Sequence, residues 1–184
     1  MMKSLPERKL IEEWLPLRET NINSIIEKSF KQARARHKQS FKEIFKMDVE
    51  ALGINAPLIP NMHTWFARRP CCVARVLTLA GAMPIDIQFE TFNKMSGFDH
   101  LRILVKKHQL PIIYNVTPER EYIHQFLKDI MKKGNVTVLD PMAGGGSIPL
   151  ESLRLGFRTV AVEYNPVAYL ILRATVEFPA KYAD

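Results

Sequence analysis

Cysteine is scarce in this sequence. The only two cysteines, Cys71 and Cys72, are adjacent, so they cannot join distant segments through a disulfide. A tetrahedral zinc site would need more ligands than this pair offers. We therefore expect reduced thiols and no metal site.

Long apolar runs are also missing. No segment approaches the roughly 18 to 20 apolar residues of a membrane-spanning helix, and the first residues, MMKSLPE, lack the apolar stretch of a signal peptide. The expected location is therefore the cytoplasm, without a membrane partner.

Acidic residues are outnumbered. The 184 residues contain 26 Lys and Arg against 19 Asp and Glu, a net charge of +7. This excess favours polyanionic partners, with nucleic acid ahead of an anionic membrane surface. A content of 47% hydrophobic and 24% charged residues excludes wholesale disorder and fibrous repeats. The length allows one domain with an extension or two small domains.

Much of the positive charge lies in a predicted helix over residues 22 to 47. Between Glu27 and Lys46 there are seven cations and two acids. This helix has two interpretations, a solvated basic face or a surface that follows nucleic-acid phosphates. In the second, the candidate contacts are Lys31, Arg34, Arg36 and Lys38.

Apolar periodicity predicts the remaining elements. Pro70 can open a helix through residues 71 to 83, with its buried side formed by Val73, Val76, Leu77 and Ala80. Residues 84 to 116 show no clear period. The further elements expected are a helix capped by Thr117 and closed by Lys132, Lys133 and Gly134, strands at 136 to 139 and 157 to 162, and a helix at 148 to 155.

A last predicted helix begins at Pro166 and is capped by Asn165. Its expected buried side contains Val167, Leu170, Ile171, Ala174 and Phe178. The order strand, glycine loop, helix, strand, helix is that of a parallel βαβ unit, the start of a doubly wound α/β sheet. Two strands alone leave such a sheet incomplete.

The glycine loop follows the first of these strands and is the strongest local signal. Three consecutive glycines, residues 144 to 146, let a ligand approach the backbone at a helix N-terminus. Pro149 breaks a dinucleotide fingerprint, and the Gly-Lys-Ser/Thr ending of a P-loop is absent. Glu163 ends the next strand, where a carboxylate can accept both ribose hydroxyls. The alternative is a tight turn without a ligand.

Two segments resemble the cofactor motifs of amino-group DNA methyltransferases: residues 140 to 152, DPMAGGGSIPLES, and residues 163 to 168, EYNPVA. Three upstream segments, IEEWLP at 11 to 16, EKS at 27 to 29 and HTWFARRP at 63 to 70, are similar to the N-terminal domain of a family of adenine-specific DNA methyltransferases. The likeness covers about two thirds of the chain, and the combination of the glycine motif with HTWFARRP is its most specific part.

The resemblance implies S-adenosylmethionine as the cofactor. Its methionine end would be held by Asp140, Pro141 and the backbone of Ala143, Gly144, Gly145 and Gly146. Glu163 would hold the ribose, and Tyr164 would flank the adenine. The methionine carboxylate would be bound by a residue of the upstream element, for which the candidates are His63, Thr64, Arg68 and Arg69.

The sequence departs from the family in two respects. Residues 30 to 60 look like an insertion or a divergent region, and the Asp/Asn/Ser-Pro-Pro-aromatic motif that orients the target amine is missing. Asn165-Pro166-Val167 does not replace it, because it follows the ribose acid directly and caps a helix. We expect the orienting motif in a C-terminal segment or in a separate chain.

The expected fold is α/β, an incomplete Rossmann-like methyltransferase domain at 117 to 184 preceded by a mainly helical region at 1 to 116. The chain is expected to be the cofactor-binding part of a DNA methyltransferase that acts on an exocyclic amino group, and the resemblance implies adenine as the target base. It is expected to be inactive alone. Its expected partners are DNA and a chain that carries the catalytic half. The alternatives are an RNA methyltransferase and a non-catalytic module that binds nucleic acid or a partner.

Overall fold

The computed structural model describes residues 8 to 17, 20 to 21, 23 to 24, 69 to 99, 116 to 131 and 136 to 182. All but two residues of the predicted basic helix, including its four candidate nucleic-acid contacts, lie outside these segments. The cofactor candidates His63, Thr64 and Arg68 lie outside them as well. These predictions stay predictions.

Helix α1, Cys71–Ala82, confirms the helix expected after Pro70. Its buried apolar residues include Cys72, Val76 and Leu79, which follow one another at helical spacing. Leu77 is 42% exposed, so its predicted place on the buried side is wrong. Leu77 and the exposed Gly81 are four residues apart and so lie on one strip of α1 that faces away from the core.

Two further helices precede the sheet. Helix α2, Phe89–Ser96, ends at Gly97 in the left-handed conformation and lies where the sequence shows no period. Helix α3, Arg120–Met131, begins later than predicted. Its first intrahelical bond runs from the amide of Ile123 to the carbonyl of Glu119, so Glu119 and not Thr117 precedes the helix.

The sheet consists of β1, Thr137–Asp140, and β2, Arg158–Ala161, which pair in parallel. Their register places Leu139 beside Val160 and Asp140 beside Ala161. Helix α4, Ser147–Arg154, connects them. The predicted order of strand, glycine loop, helix and parallel strand is therefore confirmed, with each bound shifted by about one residue.

The chain continues through α5, Pro166–Leu172, a π-helix, Arg173–Glu177, and α6, Phe178–Tyr182. Asn165 caps α5 as predicted, because its side chain accepts hydrogen bonds from the amides of Val167 and Ala168.

The expected buried side of this last segment is wrong, because Val167, Leu170, Ala174 and Phe178 are exposed and Ile171 is only partly buried. The buried residues are Ala168, Leu172 and Val176, which recur every fourth position. Leu172 and Val176 pack with Ala143 and the partly buried Leu150 and Leu153. This last segment thus packs against the glycine loop and α4. The packing buries a different face of the segment from the one that its apolar residues suggest.

The main core crosses the predicted boundary at residue 116. It contains Leu10, residues of α1 and α2, Ile123 and Leu127 of α3, and Leu155 and Phe157 beside β2. The helical part and the βαβ part therefore share one set of apolar contacts, and the division into two domains stays a prediction. Within the described segments, no helix has both the length and the apolar character needed to cross a membrane.

Candidate functional site

The glycine loop folds back against the end of β2. The amide of Ala143 donates to the carbonyl of Val162 at 3.0 Å, and the amide of Gly146 donates to the carbonyl of Ala143 at 2.9 Å. Gly144 and Gly146 have φ angles of 51° and 80°. Residues that carry a Cβ atom adopt such angles only at an energetic cost. The loop conformation therefore requires glycine at both positions.

Gly146 has a second reason to be glycine. A Cβ atom there would lie 2.7 Å from Leu172 Cδ2 and 3.2 Å from Val176 Cγ2. The space beside Gly146 is thus filled by the π-helix region and is closed to a ligand on that side. Packing therefore explains the glycine at position 146, and only the other glycines of the loop indicate ligand binding.

Asp140 holds the beginning of the loop. Its side chain is 8% exposed, and Oδ1 accepts a hydrogen bond from the amide of Met142 at 3.2 Å. This contact is a local turn of the kind that aspartate forms with the backbone two residues on. Pro141, the next residue, is exposed.

Glu163 bridges the loop and the connection that follows β2. Its Oε2 accepts from the amide of Gly144 at 2.6 Å, and its Oε1 accepts from the amide of Asn165 at 2.8 Å. Hydrogen bonds from the Asn165 and Gly144 amides lower the pKa of Glu163 below 4.5, so the carboxylate is ionised at neutral pH. Each oxygen can accept a second hydrogen bond, which leaves Glu163 able to bind hydroxyl groups.

Tyr164 and Arg69 complete the described part of the site. Tyr164 follows Glu163 and is fully exposed. Arg69 is exposed, and its carbonyl accepts a hydrogen bond of 2.6 Å from Ser147 Oγ at the first residue of α4. This hydrogen bond brings the backbone of Arg69 to the end of the glycine loop.

A buried ion pair supports this arrangement and was not predicted. Arg75 of α1 and Glu151 of α4 are both 0% exposed, with Arg75 Nε 2.5 Å from Glu151 Oε2. Arg75 Nη1 also donates to the carbonyls of Ser96 and Val116, each at 3.0 Å. Burial lowers the pKa of Arg75 from its usual range, and the Glu151 carboxylate opposes that shift.

The ion pair extends to a third side chain. Glu151 Oε1 accepts from Arg154 Nη1 at 2.9 Å, and Arg154 Nη2 donates to the carbonyl of Val116 at 3.0 Å. Four segments of the chain therefore meet at two guanidinium groups and one carboxylate. The signals for this junction in the sequence are an arginine at the fifth position of the largely apolar α1 and a glutamate at the fifth position of α4.

The two faces of the sheet differ. Val138 packs against the main core, whereas Leu139 and Val160, neighbours in the register, are 62% and 41% exposed. Val162, two residues beyond Val160 on the same side, is 51% exposed. We call Leu139, Val160 and Val162 the open face. Successive strand residues point to opposite sides, so one side of the sheet lacks a cover among the described residues.

No group of three or more His, Cys, Asp or Glu side chains that could hold a metal ion occurs in the described segments. The chain matches no protein-family model, and comparisons with curated proteins and with solved structures found no significant match. The family resemblance therefore rests on the sequence motifs.

Proposed function

We propose that this chain is the S-adenosylmethionine-binding part of a methyltransferase that acts on an exocyclic amino group of DNA, with adenine as the target base. The observation that carries the proposal is the bridge from Glu163 to the amide of Gly144. It brings an ionised carboxylate and a glycine loop together at the carboxyl ends of two neighbouring parallel strands, where open α/β sheets bind their ligands.

Each residue has a distinct task in this proposal. Glu163 accepts hydrogen bonds from the ribose hydroxyls with the oxygen lone pairs that its two backbone bonds leave unused. Tyr164 offers an exposed ring for the adenine, and Asp140 with the loop backbone surrounds the methionine part. Arg69 supplies a positive charge for the methionine carboxylate. The bound cofactor would supply an activated methyl group.

Catalysis requires a second component. The target base has to leave the duplex and point its amine at the methyl donor, and the tetrapeptide that performs this orientation in the family is missing here. In this proposal a further polypeptide covers the open face, because parallel sheets are covered on both faces. We propose that this polypeptide brings the remaining strands and the orienting motif, and that the assembly works in the cytoplasm.

A calorimetric titration of S-adenosylmethionine into the chain tests the proposal. We expect binding by the parent chain and an affinity lower by about tenfold or more in Glu163→Ala, because bonds to a charged acceptor are lost. Glu90→Ala, at an exposed glutamate of α2, is the control and should bind like the parent. An unchanged affinity in Glu163→Ala would exclude the ribose role.

Glu163 also anchors the loop, so a second ligand separates the two roles. The parent chain should prefer S-adenosylmethionine to its 2′-deoxyribose analogue, and this preference should disappear in Glu163→Ala. A preference that persists in the variant would assign Glu163 to loop structure alone.

Transfer of a radiolabelled methyl group to unmethylated DNA tests the catalytic part. The chain alone should give no incorporation, and addition of a polypeptide with the orienting motif should restore it. Incorporation by the chain alone would reveal a catalytic element within it. DNA retention without cofactor binding would favour the non-catalytic module, and turnover on RNA alone would favour an RNA methyltransferase.

A further inference from the structure

Helices α1 and α4 are joined at two successive levels. At the first level, Ser147 Oγ donates to the carbonyl of Arg69. At the second, six residues after Arg69 and four residues after Ser147, Arg75 pairs with Glu151. Both contacts advance along the two helices in the same order, so the helices begin side by side and run in the same direction. Arg69 therefore lies where both helices start.

The ion pair at the second level is not needed for apolar packing. Removing two charges from water is costly, and apolar replacements of buried ion pairs are often as stable or more stable. Arg75 Nη2 is in addition buried without a hydrogen-bond partner, so the guanidinium is not fully satisfied. An arrangement of this kind is explained by the geometry it imposes more readily than by the stability it adds.

That geometry concerns Arg69. Arg75 is bonded at once to Glu151, to the end of α2 through Ser96 and to the segment before α3 through Val116. These directional bonds permit one register of α1 along α4, whereas apolar contacts alone would tolerate sliding. A shift of α1 would move Arg69, only two residues before its first residue, relative to the glycine loop.

We propose that Arg75 and Glu151 are positioning residues that hold Arg69 at the methionine-carboxylate end of the cofactor site. The inference rests on the proposed function. It adds that binding of the methionine part depends on a buried ion pair that does not itself touch the cofactor, whereas binding of the adenosine part does not depend on it.

Two ligands separate these parts. S-Adenosylmethionine carries the methionine carboxylate, and 5′-methylthioadenosine retains the adenosine and the thioether without it. Calorimetry with Glu151→Gln should show an affinity for S-adenosylmethionine lower by about tenfold, the scale of a lost contact between charged groups. The affinity for 5′-methylthioadenosine should change by less than about twofold. Glu90→Gln is the matched control and should alter neither affinity.

Coupling to Arg69 provides the second readout. Arg69→Ala should show the same ligand selectivity as Glu151→Gln. The double variant should lose no more affinity than either single variant, because residues that act through one contact are not additive. If Glu151→Gln does not fold, the paired apolar replacement Arg75→Met/Glu151→Leu takes its place, since removal of both charges leaves neither buried alone.

The outcomes are distinct. Equal loss of both ligands would show a general structural role and overturn the inference, as would unchanged binding of both or full additivity with Arg69→Ala. Failure of the parent chain to bind either ligand would overturn the proposed function and the inference with it. Normal binding of both ligands by the parent, with no selectivity in the variants, would overturn the inference alone.

Discussion

The two faces of the β1–β2 sheet differ sharply although they belong to the same short strands. On one side, Val138 joins a core that includes Leu155 and Phe157. On the other side, Leu139 and Val160 are side by side and largely exposed. Strands that are apolar on both faces are typical of sheets covered on both sides. Among the described residues, the side of the sheet that contains Val138, which we call the covered face, packs on the core, whereas the open face is exposed.

Breaking the buried ion pair of Arg75 with Glu151 should have the largest effect on stability. Arg75→Met leaves the Glu151 carboxylate buried without its main partner, and such a loss costs about 3 to 5 kcal/mol of unfolding free energy. Urea unfolding followed by circular dichroism measures it. Arg158→Met, at an exposed strand position, is the control and should change stability by less than about 0.5 kcal/mol. Similar values for the two variants would contradict the structural role of the pair.

The next largest effect on stability concerns the glycine loop that joins β1 to α4. Gly146→Ala places a Cβ at a positive φ and against Leu172, and strain with overpacking should cost about 2 to 3 kcal/mol. Gly81→Ala is the matched control, because nothing lies within 4 Å of its Cβ position. Within α1 this control should stabilise the chain by about 0.5 to 1 kcal/mol. Combining Gly146→Ala with Leu172→Ala should remove only the steric part.

Substitution at neighbouring strand positions tests the comparison itself. Val138→Ser on the covered face should destabilise the chain by about 1 to 2 kcal/mol, because it removes apolar burial. Leu139→Ser on the open face should change stability by about 0.5 kcal/mol or less. Chemical unfolding of the two variants checks the difference. Equal destabilisation would show that the open face is covered.

The smallest effect is the pH dependence of Glu163. Its pKa is lower in the folded chain than its ordinary value of 4.5, because the amides of Asn165 and Gly144 donate to it. The carboxylate therefore stabilises the fold above that value, and this contribution is lost as the pH falls through the lowered pKa. Glu163→Gln should weaken the pH dependence of the thermal unfolding midpoint between about pH 3 and pH 6. An unaltered pH profile, matching Glu90→Gln, would show that the two backbone bonds do not contribute.

Local features were predictable from the sequence. Asn165 followed by Pro166 predicts the cap of α5, and the glycines after an apolar strand predict the loop and the parallel pairing of β1 with β2. Each of these rests on neighbouring residues or on spacing within one βαβ unit.

The remaining features depend on contacts between distant residues. The partnership of Arg75 with Glu151 joins positions 76 residues apart, and periodicity carries no information about such a pair. The buried face of α5 is chosen by Gly146 and α4 and not by its own apolar content. Helix α2 lies in a region whose sequence shows no clear apolar period, although the left-handed Gly97 that ends it is a typical end signal.

The separation of Arg75 from Glu151 has a consequence for the synthesis of the protein. At roughly 5 to 20 residues per second, a ribosome completes Glu151 about 4 to 15 s after Arg75. During that interval the nascent helical region holds a guanidinium and an apolar surface whose partners, Glu151, Leu155 and Phe157, do not yet exist. Long-range contacts of this kind slow folding, so the helical region is expected to reach its native state only after the βαβ unit has emerged.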